Sequence, residues 1–280
     1  MRKADFRVST PHGDCRIAYT QWGDPKAART LVCLHGLTRN GRDFDALANA
    51  LAGRYQVICP DMPGRGQSES LRHDEDYQYP VYLQICSALL EHLNVSSVSW
   101  LGTSMGGLIG MMLAKQSHTL IRCLVLNDVG AFVPATALRR IGEYLGNTGP
   151  LKDLEAVEAR LRVIHAPFGR LTESQWRHLA MHSHWTDDSG RFWLAYDPKI
   201  ATSFLKHTNE DVDLWAIWSD VRCPVLLLRG ADSDILQPEV AEKMAARENC
   251  SLITLPAAGH APPLMSRAET ELITEWLELQ

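Results

Sequence analysis

The stretch Leu101-Gly-Thr-Ser-Met-Gly-Gly107 constrains the fold of this chain more than any other. An apolar, β-prone run from Val95 to Leu101 precedes it, and a helix-compatible run from Leu108 to Lys115 follows it. A Gly-x-Ser-x-Gly sequence between a strand and a helix predicts a sharp turn that holds the serine hydroxyl at the end of the strand. Gly102 and Gly106 are needed there because side chains would collide with the packed strand and helix.

Strand and helix patterns alternate along most of the chain. The predicted strands are 16–22, 30–34, 55–59, 97–101, 123–126, 224–228 and 252–255. The predicted helices are 43–51, 79–93, 108–116, one that begins near Pro238, and 268–279. Short continuous apolar strands between helices indicate an α/β fold with a mostly parallel, twisted sheet and helices on both faces.

The alternation breaks between about residues 131 and 219, where helical patterns continue without convincing strands. Thr172-Glu-Ser-Gln175 has the spacing of a capping box ahead of a helix. An all-helical block inside an α/β pattern predicts an inserted helical cap. We therefore expect a core domain made of residues 1–130 and 220–280, and a cap, or lid, over 131–219.

The net charge and the cysteine pattern limit which binding partners and which cellular compartment are expected. The formal net charge is −5 and no Lys/Arg tract occurs, which argues against nucleic acid and anionic membranes. No apolar stretch is long enough for membrane insertion. The seven cysteines form no Cys-x-x-Cys pair, and the first residues have no apolar signal-peptide core. We expect a cytoplasmic protein with reduced cysteines.

Ser104 is the candidate nucleophile. A serine hydroxyl attacks well only when a base takes its proton and a third group orients that base. His260 follows the predicted strand 252–255 and is the candidate base. Asp232 and Asp234 follow the strand before it, which gives the chain order serine, acid, histidine.

Two backbone N–H groups are the candidate oxyanion hole, which stabilises the negative charge that develops on a carbonyl oxygen. Met105, at the start of the helix after Ser104, is one candidate donor. The turn His35-Gly-Leu-Thr38 supplies the other, for which Leu37 is predicted and Thr38 is the alternative.

These residues make the chain resemble the α/β-hydrolase superfamily, in particular its capped serine esterase and enol-lactone hydrolase branch. The resemblance rests on His35-Gly36, Asp61-Met-Pro-Gly-Arg-Gly-Gln-Ser68, the turn at Ser104, Arg229-Gly-Ala-Asp-Ser-Asp-Ile-Leu236 and Gly259-His260. It implies Asp234 as the triad acid, since the family acid stands four residues before a proline, here Pro238. Asp232 and Asp128 stay open, because some members place the acid after an earlier strand.

The resemblance implies a serine hydrolase that cleaves a small carboxylic ester or lactone through an acyl-enzyme, without metal or organic cofactor. One alternative is a hydrolase of carbon–carbon bonds in vinylogous diketones on the same triad. Another is a low-turnover small-molecule receptor. The expected partner is the small-molecule substrate, and either a monomer or a homodimer fits the sequence.

Two predictions remain: which residues line the substrate pocket, and whether the chain has a metal site. His35 is expected to anchor the backbone of its turn. The residues predicted to line the substrate pocket are His35, Thr38, Trp176 and Trp185. His178 and His182 stand four apart on a predicted helix, but residue 179 is Leu, so the His-Glu-x-x-His metal motif is absent. We expect no metal site.

Overall fold

The computed structural model of the protein describes residues 1–116, 119–145 and 149–280. In chain order, the strands of these residues are β1 (Arg2–Thr10), β2 (Gly13–Trp22), β3 (Thr30–Leu34), β4 (Gln56–Pro60), β5 (Val98–Thr103), β6 (Ile121–Asn127), β7 (Phe132–Val133), β8 (His184–Thr186), β9 (Phe192–Leu194), β10 (Val212–Asp213), β11 (Val225–Gly230) and β12 (Cys250–Leu255). The α-helices are α1 (Asp45–Leu51), α2 (Tyr79–His92), α3 (Met105–Ala114), α4 (Ala135–Leu145), α5 (Leu154–Ile164), α6 (Glu173–His182), α7 (Lys199–Leu205), α8 (Trp215–Asp220), α9 (Pro238–Ala245) and α10 (Arg267–Glu278). Of these described helices, none combines the length and the apolar character that crossing a bilayer requires.

The main sheet has eight strands in the order β1-β2-β4-β3-β5-β6-β11-β12. β2 pairs antiparallel with β1 and with β4, and every other neighbouring pair is parallel. The predicted mostly parallel sheet is confirmed. The strand β1 lies outside the predicted set, because only Phe6 and Val8 of its nine residues are buried and the apolar alternation is short.

Helices cover both faces of this sheet because the side chains of each central strand alternate between two apolar cores. In β3, Val32 and Leu34 pack into one core, while Leu31 and Cys33 pack into the other. The first core also holds residues of α2 and α3, and the second holds residues of α1 and α10. Strands buried on both faces are continuous apolar runs in sequence, which is why these strands were predictable.

The described part of the chain between β6 and β11 forms α4 to α8 and adds no strand to the main sheet. The predicted absence of strands there is wrong, because β7 pairs with β10 and β8 pairs with β9. In the second pair Trp185 stacks on Trp193, with ring centroids 5.9 Å apart, and the Asp187 carboxylate accepts hydrogen bonds from the backbone of its own turn. Strands of two or three residues depend on such side-chain contacts, so their sequences carry no periodic signal.

Strand β5 passes into α3 through the single residue Ser104, whose backbone has φ 51° and ψ −115°. Residues other than glycine rarely adopt such a positive φ. Neither flanking glycine has room for a side chain, because α3 packs closely against both β5 and β3. A Cβ on Gly102 would lie 2.2 Å from the backbone of Gly106, and a Cβ on Gly106 would lie 2.1 Å from the Leu34 carbonyl oxygen. The expected need for these two glycines is confirmed.

His35, directly after β3, is completely buried. Its Nε2 accepts a hydrogen bond from the Met62 backbone N–H (2.9 Å), and its Nδ1 donates to the Gly36 carbonyl oxygen (2.7 Å). These partners select a neutral tautomer, and burial lowers the pKa of the ring to about 3. The expected anchoring role is confirmed. The prediction that His35 lines the pocket is wrong, because both ring nitrogens are engaged inside the protein.

We expect Gly106→Ala to destabilise the protein, because the β3 backbone leaves no room for the added methyl group. Overpacking of this kind costs about 1–3 kcal/mol. Gly53→Ala is the matched control, since a Cβ at Gly53 would meet no atom within 4 Å. Urea unfolding of both variants measures the difference, and equal free energies of unfolding would contradict the packing described here.

Acid should destabilise the fold through His35, because the unfolded ring binds a proton that the buried ring excludes. The folded-state pKa is the lower one, so this stabilisation is present above about pH 6.5 and is lost as the pH falls toward about 3. Between about pH 7 and about pH 5 the loss is about 2 kcal/mol.

The free energy of unfolding of His35→Gln, measured by urea at both pH values, tests this effect. Gln keeps an acceptor for the Met62 N–H and does not titrate, so the variant should lose less stability than wild type on acidification. Asp61, whose pKa burial raises to about 6, is present in both proteins and cancels in the comparison. The exposed His207→Gln is the control for removing a histidine. A wild-type slope in His35→Gln would contradict the neutral buried ring.

Candidate active site

Ser104 lies at the carboxyl end of β5, beside the carboxyl end of β6. Its backbone N–H donates to the Asn127 carbonyl oxygen at 3.0 Å, and its own carbonyl oxygen accepts from Gly107 and Leu108 of α3 at 2.9 and 3.1 Å. These bonds hold the serine backbone in its strained conformation. The side-chain hydroxyl lies 3.0 Å from Nε2 of His260, so the predicted nucleophile and base are in hydrogen-bond contact.

His260 lies in the loop between β12 and α10, where the sequence predicts it. Two neighbouring bonds hold this loop against the rest of the protein. The Gly259 N–H donates to the Pro167 carbonyl oxygen (2.7 Å), and the Asn127 side-chain amide donates to the Pro262 carbonyl oxygen (2.8 Å). The imidazole is therefore fixed from the sheet on one side and from the segment 131–219 on the other.

The carboxylate beside His260 belongs to Asp128 and not to Asp234, which corrects the predicted acid. Asp128 Oδ2 lies 2.7 Å from His260 Nδ1, and the Asp128 side chain has no exposed surface. Asp128 follows β6 directly, and its backbone N–H donates to the Leu228 carbonyl oxygen of β11 at 2.9 Å. Of the three candidate acids, the one after the earlier strand is the one that the structure brings to the histidine.

Asp232 and Asp234 are both exposed, while Ser233 between them is buried. The Asp234 carboxylate instead pairs with the Arg140 guanidinium, whose Nη2 lies 2.9 Å from Oδ1. The Ser233 hydroxyl donates to Asp128 Oδ2 at 2.6 Å. Only the middle residue of this turn faces the sheet edge, and a hydroxyl there supports the buried carboxylate, whereas a second carboxylate would repel it.

The buried charge of Asp128 is compensated by three hydrogen-bond donors. The Gly230 N–H donates to Oδ1 at 2.8 Å, and Ser233 and His260 both lie at Oδ2. A carboxylate so satisfied tolerates burial. It holds the imidazole proton on Nδ1, which leaves Nε2 as the acceptor for the Ser104 hydroxyl.

Leu37 and Met105, the predicted oxyanion donors, both line cavity surface next to Ser104. Among the residues that the structure describes, neither backbone N–H has an acceptor. Arg65 fixes this region from below: its Nε donates to the Leu37 carbonyl oxygen at 2.8 Å, and its Nη2 lies 3.7 Å from Met105 Sδ. Arg65 is almost completely buried and pairs with no carboxylate in the described ranges, so its positive charge stays uncompensated close to the two donors.

Two cavities meet at Ser104 and share Leu37, Ser104 and Ile141. We call the larger one, of about 340 Å³, the Met105 cavity; its apolar lining includes Met105, Leu108, Val129, Val133, Ile200 and Phe204. We call the narrower one, of about 60 Å³, the His260 cavity; its lining includes Thr38, Arg39, Arg140, His165, Pro167 and His260. Apolar surface predominates in both cavities, and of the two, only the His260 cavity is lined by the charged side chains Arg39, Asp43 and Arg140.

The predicted pocket residues divide into one that lines a cavity and three that do not. Thr38 lines the His260 cavity. His35 is engaged below the site, as described above. Trp176 is buried within the segment 131–219, where Arg162 stacks on its ring. Trp185 is 51% exposed and stacks on Trp193. Trp176 and Trp185 are wrong as pocket residues, because tryptophans of this segment pack the segment itself.

His178 and His182 approach each other on α6, and with Asp45 they offer ligand atoms within 4.8 Å of one another. The Arg42 guanidinium already binds this carboxylate, with Nε 2.9 Å from Asp45 Oδ1. A guanidinium in that place repels a cation and occupies the only anionic ligand of the group. The arrangement therefore does not suit a metal ion.

Ser233 and Asn127 are supporting residues that sequence reasoning missed. Each stands next to a candidate acid at the end of a strand, in Arg229-Gly-Ala-Asp-Ser-Asp and Leu126-Asn-Asp-Val129. A hydroxyl or amide side chain next to an acidic residue at the end of a strand was the sequence signal that could have identified these two supporting residues. Which member of such a pair faces the histidine depends on the direction of the turn, which the sequence does not display.

Comparison with known proteins places the chain among hydrolases. Residues 31–274 match the model of the alpha/beta hydrolase family. The chain is 44% identical to a 3-hydroxybutyrate-oligomer hydrolase of Cupriavidus necator over 276 residues, which cover 95% of this chain and 94% of that protein.

Two solved structures share the architecture along the whole chain. A putative hydrolase from Rickettsia typhi superposes with a TM-score of 0.95 at 35% identity, covering 100% of both chains. An alpha/beta hydrolase from Novosphingobium aromaticivorans superposes with a TM-score of 0.87 at 35% identity, covering 99% of this chain and 98% of that one. The strand order, the turn at Ser104 and these similarities lead to one conclusion: the chain belongs to the alpha/beta hydrolase family.

Proposed function

We propose that this protein is a serine hydrolase that cleaves the ester bonds of short 3-hydroxy acid oligomers through an acyl-enzyme. The observation that carries the proposal is the hydrogen-bonded series from Ser104 Oγ to His260 Nε2 (3.0 Å) and from His260 Nδ1 to Asp128 (2.7 Å), at the junction of two cavities. The relative from Cupriavidus necator suggests the substrate class, since its name specifies oligomers of 3-hydroxybutyrate.

The geometry supports two half-reactions. His260 takes the Ser104 proton as Oγ attacks the ester carbonyl, and Asp128 stabilises the imidazolium that forms. His260 then protonates the leaving alcohol, and the carbonyl–oxygen bond breaks to leave an acyl-serine. Water then enters by the same route and gives a proton to His260 as it attacks the acyl carbonyl. His260 returns that proton to Ser104 Oγ as the acyl–oxygen bond breaks, which releases the acid.

The oxyanion of each tetrahedral intermediate would bind the N–H groups of Leu37 and Met105. Removing one such donor typically costs about 3–4 kcal/mol of transition-state stabilisation. Arg65 supports them in two ways. It fixes the Leu37 carbonyl, and hence the direction of the adjoining peptide, and it adds a buried positive charge near the developing negative one.

The segment 131–219 would act as the cap over this chemistry. Its residues Ile141, Pro167 and Ile200 line the two cavities, and Pro167 bonds to the peptide next to His260. We also propose a reducing compartment such as the cytoplasm, because all seven cysteines are free thiols and six of them are buried.

Ser104→Ala should lower the turnover of a 3-hydroxybutyrate dimer by about 10⁴- to 10⁶-fold, because no other group supplies the nucleophile. Chromatographic detection of released 3-hydroxybutyrate measures the rate, and a fluorophosphonate should add its mass to Ser104 in wild type alone. Ser219→Ala, which changes an exposed serine on α8, is the matched control and should keep full activity. Turnover that survives in Ser104→Ala would refute the mechanism, and a wild type inert toward dimers and simple esters would refute the function.

Asp128→Asn should lower kcat by about 10⁴-fold, because an amide stabilises the wrong imidazole tautomer. Asp232→Asn, at an exposed position in the loop that holds Ser233, should keep wild-type kcat. Asp234→Asn should cost far less than Asp128→Asn. Steady-state kinetics on the dimer compares the three variants, and a larger loss in Asp234→Asn would restore the acid predicted from sequence.

A further inference from the structure

The two cavities are not equivalent with respect to the leaving group of an ester. Of the described residues, His260 lines only the His260 cavity, and Met105 lines only the Met105 cavity. The oxygen of the leaving alcohol must reach His260 Nε2 to be protonated, so the alcohol part lies on the His260 side. The acyl part then extends into the larger apolar cavity beside Met105.

A small recess adjoins the His260 cavity and shares Thr38, Arg39, Tyr144, Ile164 and His165 with it; Leu161, Ser183, Leu194 and Tyr196 complete its lining. The Ser183 hydroxyl is buried and has no hydrogen-bond partner among the described residues. The recess has room for about one water-sized group, about 10 Å³. Buried hydroxyls are normally hydrogen-bonded, so the Ser183 hydroxyl is available to a polar atom that enters the recess.

Arg39 presents unused donors to the same recess. The residue is 5% exposed, and its Nε and Nη2 bind the Asp43 carboxylate at 2.9 and 2.6 Å. Its Nη1 finds no acceptor in the part of the chain that the structure describes. Because a guanidinium binds carboxylates along more than one edge, Arg39 can hold Asp43 and a second carboxylate together.

His165 completes the donor set. It is buried, stacks on Phe168 with ring centroids 4.5 Å apart, and its ring nitrogens bond to no described residue. Burial, with the nearby Arg39 and His260, holds its pKa well below the usual range, so the ring is neutral and offers one N–H. Arg140, paired with Asp234, also lines the His260 cavity, so the charged side chains there are two arginines and Asp43.

We propose that Arg39 binds the free carboxylate of the leaving hydroxy acid where the His260 cavity meets this recess, with one carboxylate oxygen in the recess beside Ser183. The enzyme would then cleave the ester bond nearest the carboxyl end of an oligomer. The inference rests on the proposed function. The ester carbonyl–oxygen bond breaks, His260 gives the departing oxygen a proton, and one hydroxy acid leaves with its carboxylate on Arg39. The remaining acyl chain stays on Ser104 in the Met105 cavity until water releases it. The narrow His260 side takes one unit, and the larger apolar side takes the rest.

The test compares the 3-hydroxybutyrate dimer with its terminal carboxamide, which keeps the shape and the scissile ester but has no charge. Loss of a charge-assisted bond should lower kcat/KM for the carboxamide by about 10- to 100-fold. In a trimer labelled in its carboxyl-terminal unit, the label should appear first as monomer. Equal kcat/KM for dimer and carboxamide, or label appearing first in a dimer, would overturn the inference.

Two variants test which side chains produce the preference for the carboxylate. Ser183→Ala removes a hydroxyl that bonds to no described residue, so it should fold normally and raise KM for the dimer by about 2- to 10-fold. Its effect on the carboxamide should be smaller, because the neutral amide oxygen accepts a weaker hydrogen bond than a carboxylate oxygen. Arg39→Lys keeps a charge for Asp43 but loses the second guanidinium edge, and should abolish the preference for the carboxylate. Ser219→Ala is again the control. Equal effects of Ser183→Ala on both substrates would overturn the assignment of the recess.

This outcome is separable from failure of the proposed function. If wild type hydrolyses the carboxamide and the dimer equally well, and Ser104→Ala hydrolyses neither, the serine hydrolase stands and the carboxylate recess is refuted. If wild type hydrolyses neither compound, the proposed function itself is refuted, and the recess assignment with it.

Discussion

Backbone hydrogen bonds that continue past the carboxyl ends of β5, β6 and β11 set the position of every group around Ser104. The Ser104 N–H binds the Asn127 carbonyl oxygen, and the Asp128 N–H binds that of Leu228. In a parallel sheet, neighbouring strands end at the same edge, so residues distant in sequence are delivered side by side. Ser104 and Asp128 need no contact with each other, because each is held by the strand next to its own.

The burial of ionisable side chains is the second constraint on the site, and the structure stabilises each buried side chain in a different way. Asp128 is satisfied by donors from β11, its following turn and the histidine loop. His35 stays neutral, because burial outweighs its hydrogen bond to Gly36. Arg65 lies among carbonyl oxygens and over the rings of Tyr77 and Tyr82, whose centroids are 5.6 and 5.2 Å from its guanidinium carbon. A charge held without a carboxylate contributes a positive potential to the cavity beside Leu37 and Met105.

Ser104, His260, Gly102 and Gly106 were predictable because local geometry selects their residue types. A strained turn between strand and helix tolerates few sequences, and those sequences are recognisable. The acid was not predictable in the same way, since any carboxylate after β6 or β11 could reach the histidine. Thr38 lies on the wall of the His260 cavity, a short distance after β3, and its contact with a substrate stays a prediction. Trp176 and Trp185 were misplaced, because an aromatic residue fills the core of a helical segment as readily as it lines a pocket.

The sequence by itself determined seven of the eight strands of the main sheet, the strained serine turn and the histidine loop, because each depends on apolar periodicity or on a local backbone requirement. Tertiary structure alone decided that Asp128 faces His260 while Asp234 pairs with Arg140. It also decided that Ser183, Arg39 and His165, from three separate segments, share one recess. The physical reason is that side-chain partners across a sheet edge depend on strand order and turn direction, which arise only when distant segments pack together.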